Sequence, residues 1–175
     1  MLSAITGRVA WILDEPNYDI DLIVGVANIK EKDIEKLKAA CMRSYDPDFA
    51  KAVKPGDVLI GGDNFGYGHP HYPSFRALRA LGVAAVFAES YAPGFYRGET
   101  TNAFPLIECP GILEAGIARW DTVHFDWASE VLTVRPGKPD EKKLQCNRVP
   151  GKVKQIIEHG GILGYLKELR LKETQ

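Results

Sequence analysis

The chain has 175 residues, 45% of them hydrophobic, enough for one buried core and short of two independent ones. Lysine and arginine number 22 against 23 aspartates and glutamates, so composition excludes a general attraction to nucleic acid or to an anionic membrane surface. The cysteines Cys41, Cys109 and Cys146 lie far apart without a CxxC pair. That argues against a disulfide framework and against a zinc site or iron–sulfur cluster held by this chain alone, and suits a reducing, cytoplasmic setting.

The opening MLSAITGRVAWILDE meets an acid at Asp14 and has neither a basic leader nor a long apolar run, so neither a signal peptide nor a membrane span is expected. ITGRVAWIL reads as a first strand, and YDIDLIVGVANI, after the Glu15-Pro16-Asn17 turn signal, as further β structure. In EKDIEKLKAACMR, residues 31–43, Ile34, Leu37, Ala40 and Cys41 fall on one face with charges opposite, which predicts an amphipathic helix. DPDFAKAVKPGD reads as a short helical piece closed by Pro55-Gly56. The apolar run DVLIGG, the helical YPSFRALRALG with Gly82 as its stop, and the strand-like VAAVFAES form a right-handed βαβ unit with parallel strands.

After Tyr91, APGFYRGETTNA reads as irregular, and FPLIEC as a third apolar strand. Residues 112–146 alternate weakly, with TVHFDW and SEVLTV as antiparallel strands. VPGKVKQIIEHGGILGYLKELRLK reads as two short helices broken at Gly160-Gly161, and the terminal LKETQ as a frayed end. Without repeats, low-complexity tracts or a linker, residues 1–175 read as a single α/β domain.

The stretch with most chemistry is GGDNFGYGHPHYPSFRALRALG, residues 61–82. A strand ending in glycines and feeding a helix presents unpaired N–H groups where the helix dipole favours negative charge. Gly61, Gly62, Gly66 and Gly68 allow positive φ and close backbone approach, and Pro73 suits a first helical turn. A ligand-free glycine turn remains open, as does a satisfied surface pair for His69 and His71, which stand beside Tyr67 and Tyr72. The stretch is neither a dinucleotide fingerprint nor a Walker loop. A His-x-His metal site completed by Asp63 or His124 stays open as well.

The ordered segments GRVAWIL…NYDIDLIV, DPDFAKAVKPGDVLIGGDNFGYG, ALGVAAVFAESYAPGFYR, FPLIEC and EHGGILGYLKEL span nearly the whole chain. Together they resemble the small subunit of 3-isopropylmalate dehydratase, the mobile domain of the aconitase superfamily. The resemblance implies a swivelling β/β/α domain with a parallel βαβ unit and additional antiparallel strands. It also implies a separate large subunit carrying a [4Fe–4S] cluster, an active site formed between the two, and removal and re-addition of water on a hydroxy acid.

The family's glycine turn continues Gly-x-Gly-Ser-Ser-Arg-Glu-His, with the first serine as base and the arginine on a substrate carboxylate. Here the run is Gly66-Tyr67-Gly68-His69-Pro70-His71-Tyr72-Pro73, which puts His69 at the base position and His71 at the arginine position. The resemblance assigns Gly66, Tyr67, Gly68, His71, Asp19, Asp21 and Arg97 to substrate binding. Ile20 replaces the threonine of the family's Asp-Thr-Asp, the specificity loop reads Gly25-Val26-Ala27-Asn28, and Gly98 replaces an asparagine.

An imidazole accepts protons near neutrality, at an unperturbed pKa of about 6.5, so proton abstraction survives the change of base. A histidine lacks the planar, permanently charged fork with which arginine grips a carboxylate; Arg76 and Arg97 are candidates to supply charge instead, although Arg76 and Arg79 also fit a solvated helix face. The expectation is a hydro-lyase small subunit acting on an acid other than 3-isopropylmalate. The alternatives are a genuine 3-isopropylmalate or dimethylmalate-type dehydratase and a non-catalytic anion-binding or regulatory module.

Overall fold

A computed structural model describes residues 2–69 and 71–173; Pro70 and the final two positions of the LKETQ end lie outside them. Seven strands form one mixed sheet: β1 (Ile5–Leu13), β2 (Val58–Gly61), β3 (Ala85–Ala88), β4 (Leu106–Glu108), β5 (Thr122–Asp126), β6 (Val131–Val134) and β7 (Lys142–Gln145). The spatial order is β4-β3-β2-β1-β5-β6-β7. β1 joins two halves. Its C-terminal part pairs parallel with β2 from Val9↔Val58 to Leu13↔Gly61, through an irregularity between Val9 and Trp11, while Ile5 to Arg8 pair antiparallel with β5. β2, β3 and β4 continue the parallel half, and β5, β6 and β7 the antiparallel one.

The helices are α1 (Ile34–Ala40), α2 (Phe49–Ala52), α3 (Tyr72–Ala80), α4 (Pro93–Thr101), α5 (Gly151–Glu158) and α6 (Ile162–Glu173). Every residue of β2 and β3 is buried, as befits strands covered on both faces, whereas β5 and β6 alternate. Leu59, Val86 and Ala88 pack on one side with Leu37, Phe49, Phe75, Leu78 and Phe95 from α1 to α4. Val58, Ile60, Ala85 and Phe87 pack on the other with Phe125, Leu132 and Trp127. The βαβ unit, the first strand, the paired strands of the 112–146 region and the break at Gly160-Gly161 fall where the sequence predicts them. No helix among the described residues is long and apolar enough to cross a membrane.

Two expectations need correction. YDIDLIVGVANI is not β structure but two 3-10 turns, Ile20–Ile23 and Val26–Asn28. Asp19 caps the first by accepting from the Asp21 N–H at 2.9 Å, Gly25 takes a positive φ of 80°, and the Asn28 side chain donates to the Val24 carbonyl at 2.7 Å. These side-chain bonds compete with a sheet ladder, and Ile20, Ile23 and Val24 bury from the turn instead.

The stretch expected to be irregular after Tyr91 is α4. Its glycines and threonines are poor helix formers, but Pro93 starts the first turn and Phe95, Glu99 and Thr100 bury one face. Tertiary packing there outweighs propensity.

Candidate functional site

β2 ends at Gly61, and the chain crosses the sheet's carboxyl edge before entering α3. The turn is tied down on its inner side: the Gly62 N–H donates to the Leu13 carbonyl at 2.8 Å and the Asn64 N–H to Ser90 Oγ at 2.8 Å, while Ser90 Oγ donates to Asp63. Phe65 is fully buried, stacked on Tyr18 at 5.4 Å between ring centroids and edge-on to Phe95 at 5.9 Å. Gly66 follows with φ 84°, its N–H on the Tyr18 carbonyl at 3.0 Å. From there the chain turns outward. Tyr67, Gly68 and His69 are exposed, and Gly68 has φ 94° with open space around it.

The chain returns at His71, the N-cap of α3, with Pro73 in the first turn. Asp21, 7% exposed in the first 3-10 turn, meets it. The His71 N–H donates to Asp21 Oδ1 at 3.1 Å, and Nδ1 lies 2.7 Å from Oδ2. Asp19 contributes by holding the Asp21 N–H. His69 has no hydrogen-bond partner among the described residues, and its ring lies edge-on to that of His71 at 5.4 Å between centroids. The fold therefore brings together Asp19, Asp21, Gly66, Gly68, His69 and His71. One of the two imidazoles is oriented and the other is free.

Beside His71 opens a cleft of about 130 Å³ lined by Tyr72, Gly94, Phe95, Gly98 and Glu99 as well as His71 itself. Gly98, where an asparagine is the family's residue, leaves room: a Cβ there would meet nothing within 4 Å. Glu99 is 5% exposed, and Arg79 Nη2 donates to its Oε2 at 2.6 Å. Burial pushes the Glu99 carboxyl above the usual range, against the opposing pull of Arg79. Arg79 is thus engaged in an ion pair and is not merely a solvated helix face. Arg97 is exposed on α4, is not among the residues lining the cleft and has no ion pair among the described residues. Arg76 donates to the Lys32 carbonyl at 3.2 Å, and Tyr67 is 55% exposed.

Gly25 and Asn28, the two ends of the 25–28 loop, line a second, wider cleft of about 500 Å³ together with Glu31, Lys36, Arg43 and Ser44. Glu99 and Phe95 were not legible as cleft residues, because they sit on the helix that the glycine-rich sequence of α4 conceals.

Asp63 is bonded to Ser90, and His124 on β5 to Thr6 Oγ1 at 2.8 Å. No group of three or more His, Cys, Asp or Glu side chains among the described residues could hold a metal ion. Cys41 is buried beneath α1, while Cys109 and Cys146 are buried on the opposite side of the sheet. These thiols do not fit an iron–sulfur cluster, which needs cysteines converging on one exchangeable site.

No protein-family model matches the chain. Curated proteins do. The chain is 35% identical over 176 residues to the isopropylmalate/citramalate isomerase small subunit of Methanocaldococcus jannaschii, covering the whole of both. It is 34% identical over 176 residues to the 3-isopropylmalate dehydratase small subunit of Nautilia profundicola, covering 99% of this chain and all of that one. The identity to the 2,3-dimethylmalate dehydratase small subunit of Eubacterium barkeri is 33% over 154 residues, covering 86% of this chain and 90% of the other. A crystal structure of 3-isopropylmalate dehydratase from Methanocaldococcus jannaschii superposes with a TM-score of 0.83 at 29% identity, over 98% of each chain. With at least 33% identity to these curated relatives over most of both chains and the fold shared, this chain belongs to the 3-isopropylmalate dehydratase small-subunit family.

Proposed function

We propose that this chain is the small subunit of a heteromeric hydro-lyase that dehydrates and rehydrates a hydroxy organic acid other than 3-isopropylmalate. The active site closes between the mouth of α3 and a large subunit, to which the family resemblance assigns the [4Fe–4S] cluster. The cluster supplies Lewis-acid chemistry at the departing hydroxyl. The residues of this chain supply proton exchange and recognition of the acid's remaining groups.

The observation that carries this reading is the strand–turn–helix from Gly61 to Tyr72. It keeps the family's glycines but presents two imidazoles, His69 and His71, where the family has a serine and an arginine. One imidazole exchanges the proton at the carbon, and its neighbour meets an oxygen-bearing group of the substrate. Replacing a permanently charged, two-pronged guanidinium by imidazole weakens the grip on a carboxylate. Of the loop Gly25-Val26-Ala27-Asn28, the two end residues line the wider cleft with Lys36 and Arg43, while Val26 is 62% exposed outside that lining. The weaker grip points to an acid less anionic than 3-isopropylmalate at the end that faces His71.

Purification of the chain with its native large subunit, followed by a cluster spectrum and a dehydration assay, tests the reading. The complex is expected to turn over a hydroxy acid, the chain alone to be inert, and the double substitution His69→Ala/His71→Ala to lower turnover by about 10²–10⁴-fold. Robust dehydration by the isolated, metal-free chain, or an active complex indifferent to the double substitution, would overturn it.

A further inference from the structure

Asp21 and His71 lie 50 positions apart in the sequence, and each is fixed before they meet. Asp21 sits in a 3-10 turn, 7% exposed, its own N–H accepted by Asp19 Oδ1 at 2.9 Å. His71 caps α3, and its backbone N–H donates to Asp21 Oδ1 at 3.1 Å. The second carboxylate oxygen faces Nδ1 at 2.7 Å. A carboxylate only accepts, so Nδ1 carries the hydrogen; in a neutral imidazole the lone pair is then on Nε2. Nε2 has no hydrogen-bond partner among the described residues, and the His71 side chain, 39% exposed, lines the 130 Å³ cleft. His69, by contrast, is exposed, with no hydrogen bond among the described residues to set its ring or its tautomer.

We propose that Asp21 is a positioning residue that holds His71 with its Nε2 lone pair toward the cleft, and that His71 rather than His69 is the imidazole that takes the proton. This rests on the hydro-lyase reading of the turn given above. In the dehydration direction Nε2 forms a bond to the proton of the substrate C–H. The C–H electron pair becomes the new C=C bond, and the hydroxyl leaves the neighbouring carbon as hydroxide. The proton released later from the imidazolium combines with hydroxide as water, and hydration runs the same steps in reverse. The Asp21 side chain faces the imidazolium while it exists and returns the ring to the same orientation.

The test has two parts on the full chain. In nitrogen-15 imidazole spectra of the chain above the titration range of its histidines, His71 is expected as the Nδ1–H tautomer, and Asp21→Asn to disturb that state while leaving the circular dichroism of the chain unchanged. In the complex with the large subunit, Asp21→Asn is expected to lower kcat by about 10–10³-fold with KM within about threefold. Asp21→Glu should restore part of the loss, His71→Ala should lower kcat by about 10²–10⁴-fold, and His69→Ala should act mainly on KM. An Nε2–H tautomer at His71, or an active complex indifferent to Asp21→Asn, would overturn the role of the pair. So would His69→Ala carrying the full loss in kcat with KM unchanged. A complex that dehydrates no hydroxy acid while His71 keeps the Nδ1–H tautomer refutes the reaction and leaves the geometry of the pair upheld.

Discussion

A Cβ on Gly66 would lie 2.2 Å from the ring of Phe95, and the Gly66 φ of 84° is one that residues with side chains rarely adopt. Phe95 is 3% exposed and packed against Phe65, Phe75 and Tyr91, so it has little room to retreat. Gly66→Ala is therefore expected to destabilise the chain by roughly 3 kcal/mol or more, combining backbone strain with overpacking. Gly68→Ala, at φ 94° but with nothing within 4 Å, should cost only about 1 kcal/mol. Urea-denaturation midpoints of the two variants check the difference; equal losses would mean that the aromatic packing behind the turn does not constrain it.

The legibility of the chain differs between such local constraints and long-range ones. β1, the β2–α3–β3 unit and the α5–α6 break were readable because apolar period and turn residues agree there. Residues 20–28 misled because Ile20, Ile23 and Val24 are branched and apolar, as in a strand, although Asp19 and Asn28 divert the backbone into turns. α4 was hidden because Gly94, Gly98 and two threonines lower its propensity, and only the burial of Phe95 and Glu99 reveals why it forms. Asp21 and His71 were each visible as candidates. Their direct bond was not, since it depends on the fold bringing a 3-10 turn against a helix N-terminus.

Glu99 lies beneath the cleft with Arg79 as its ion-pair partner, and Arg79→Met would leave a buried carboxylate alone. The expected loss at pH 7.5 is roughly 2–3 kcal/mol, moderated because Arg79 is itself 32% exposed. The sign with pH is definite. Burial raises the Glu99 carboxyl above its unfolded value of 4.5, so the folded state holds the proton more tightly. Stability of the variant is then greatest below that unfolded value and falls as pH rises toward the folded one. Urea titrations at pH 4 and 7.5 should show a smaller deficit relative to the parent chain at pH 4. A deficit that grows on acidification would contradict the assignment.

The three thiols should behave as core side chains. Burial pushes the Cys41 thiol up to about 12, and a hydrogen bond with Cys109 together with burial raises that of Cys146. At pH 8 a thiol reagent such as Ellman's is expected to label the native chain only as fast as it opens, and all three cysteines promptly in denaturant. Three fast equivalents from the folded protein would contradict the packing.

The measurement that bears most directly on the account is a steady-state comparison of kcat/KM for the small–large subunit complex across a panel of hydroxy acids that includes 3-isopropylmalate, citramalate and 2,3-dimethylmalate. Loss of the bidentate carboxylate grip is worth on the order of 2–3 kcal/mol, and each 1.4 kcal/mol is tenfold. The account predicts that 3-isopropylmalate falls about 30-fold or more below a hydroxy acid whose group facing His71 is uncharged, since citramalate and 2,3-dimethylmalate carry the same pair of carboxylates and share the loss. A complex that prefers 3-isopropylmalate by a wide margin would contradict it, and with it the significance attached to His69, His71 and the Gly25–Asn28 loop.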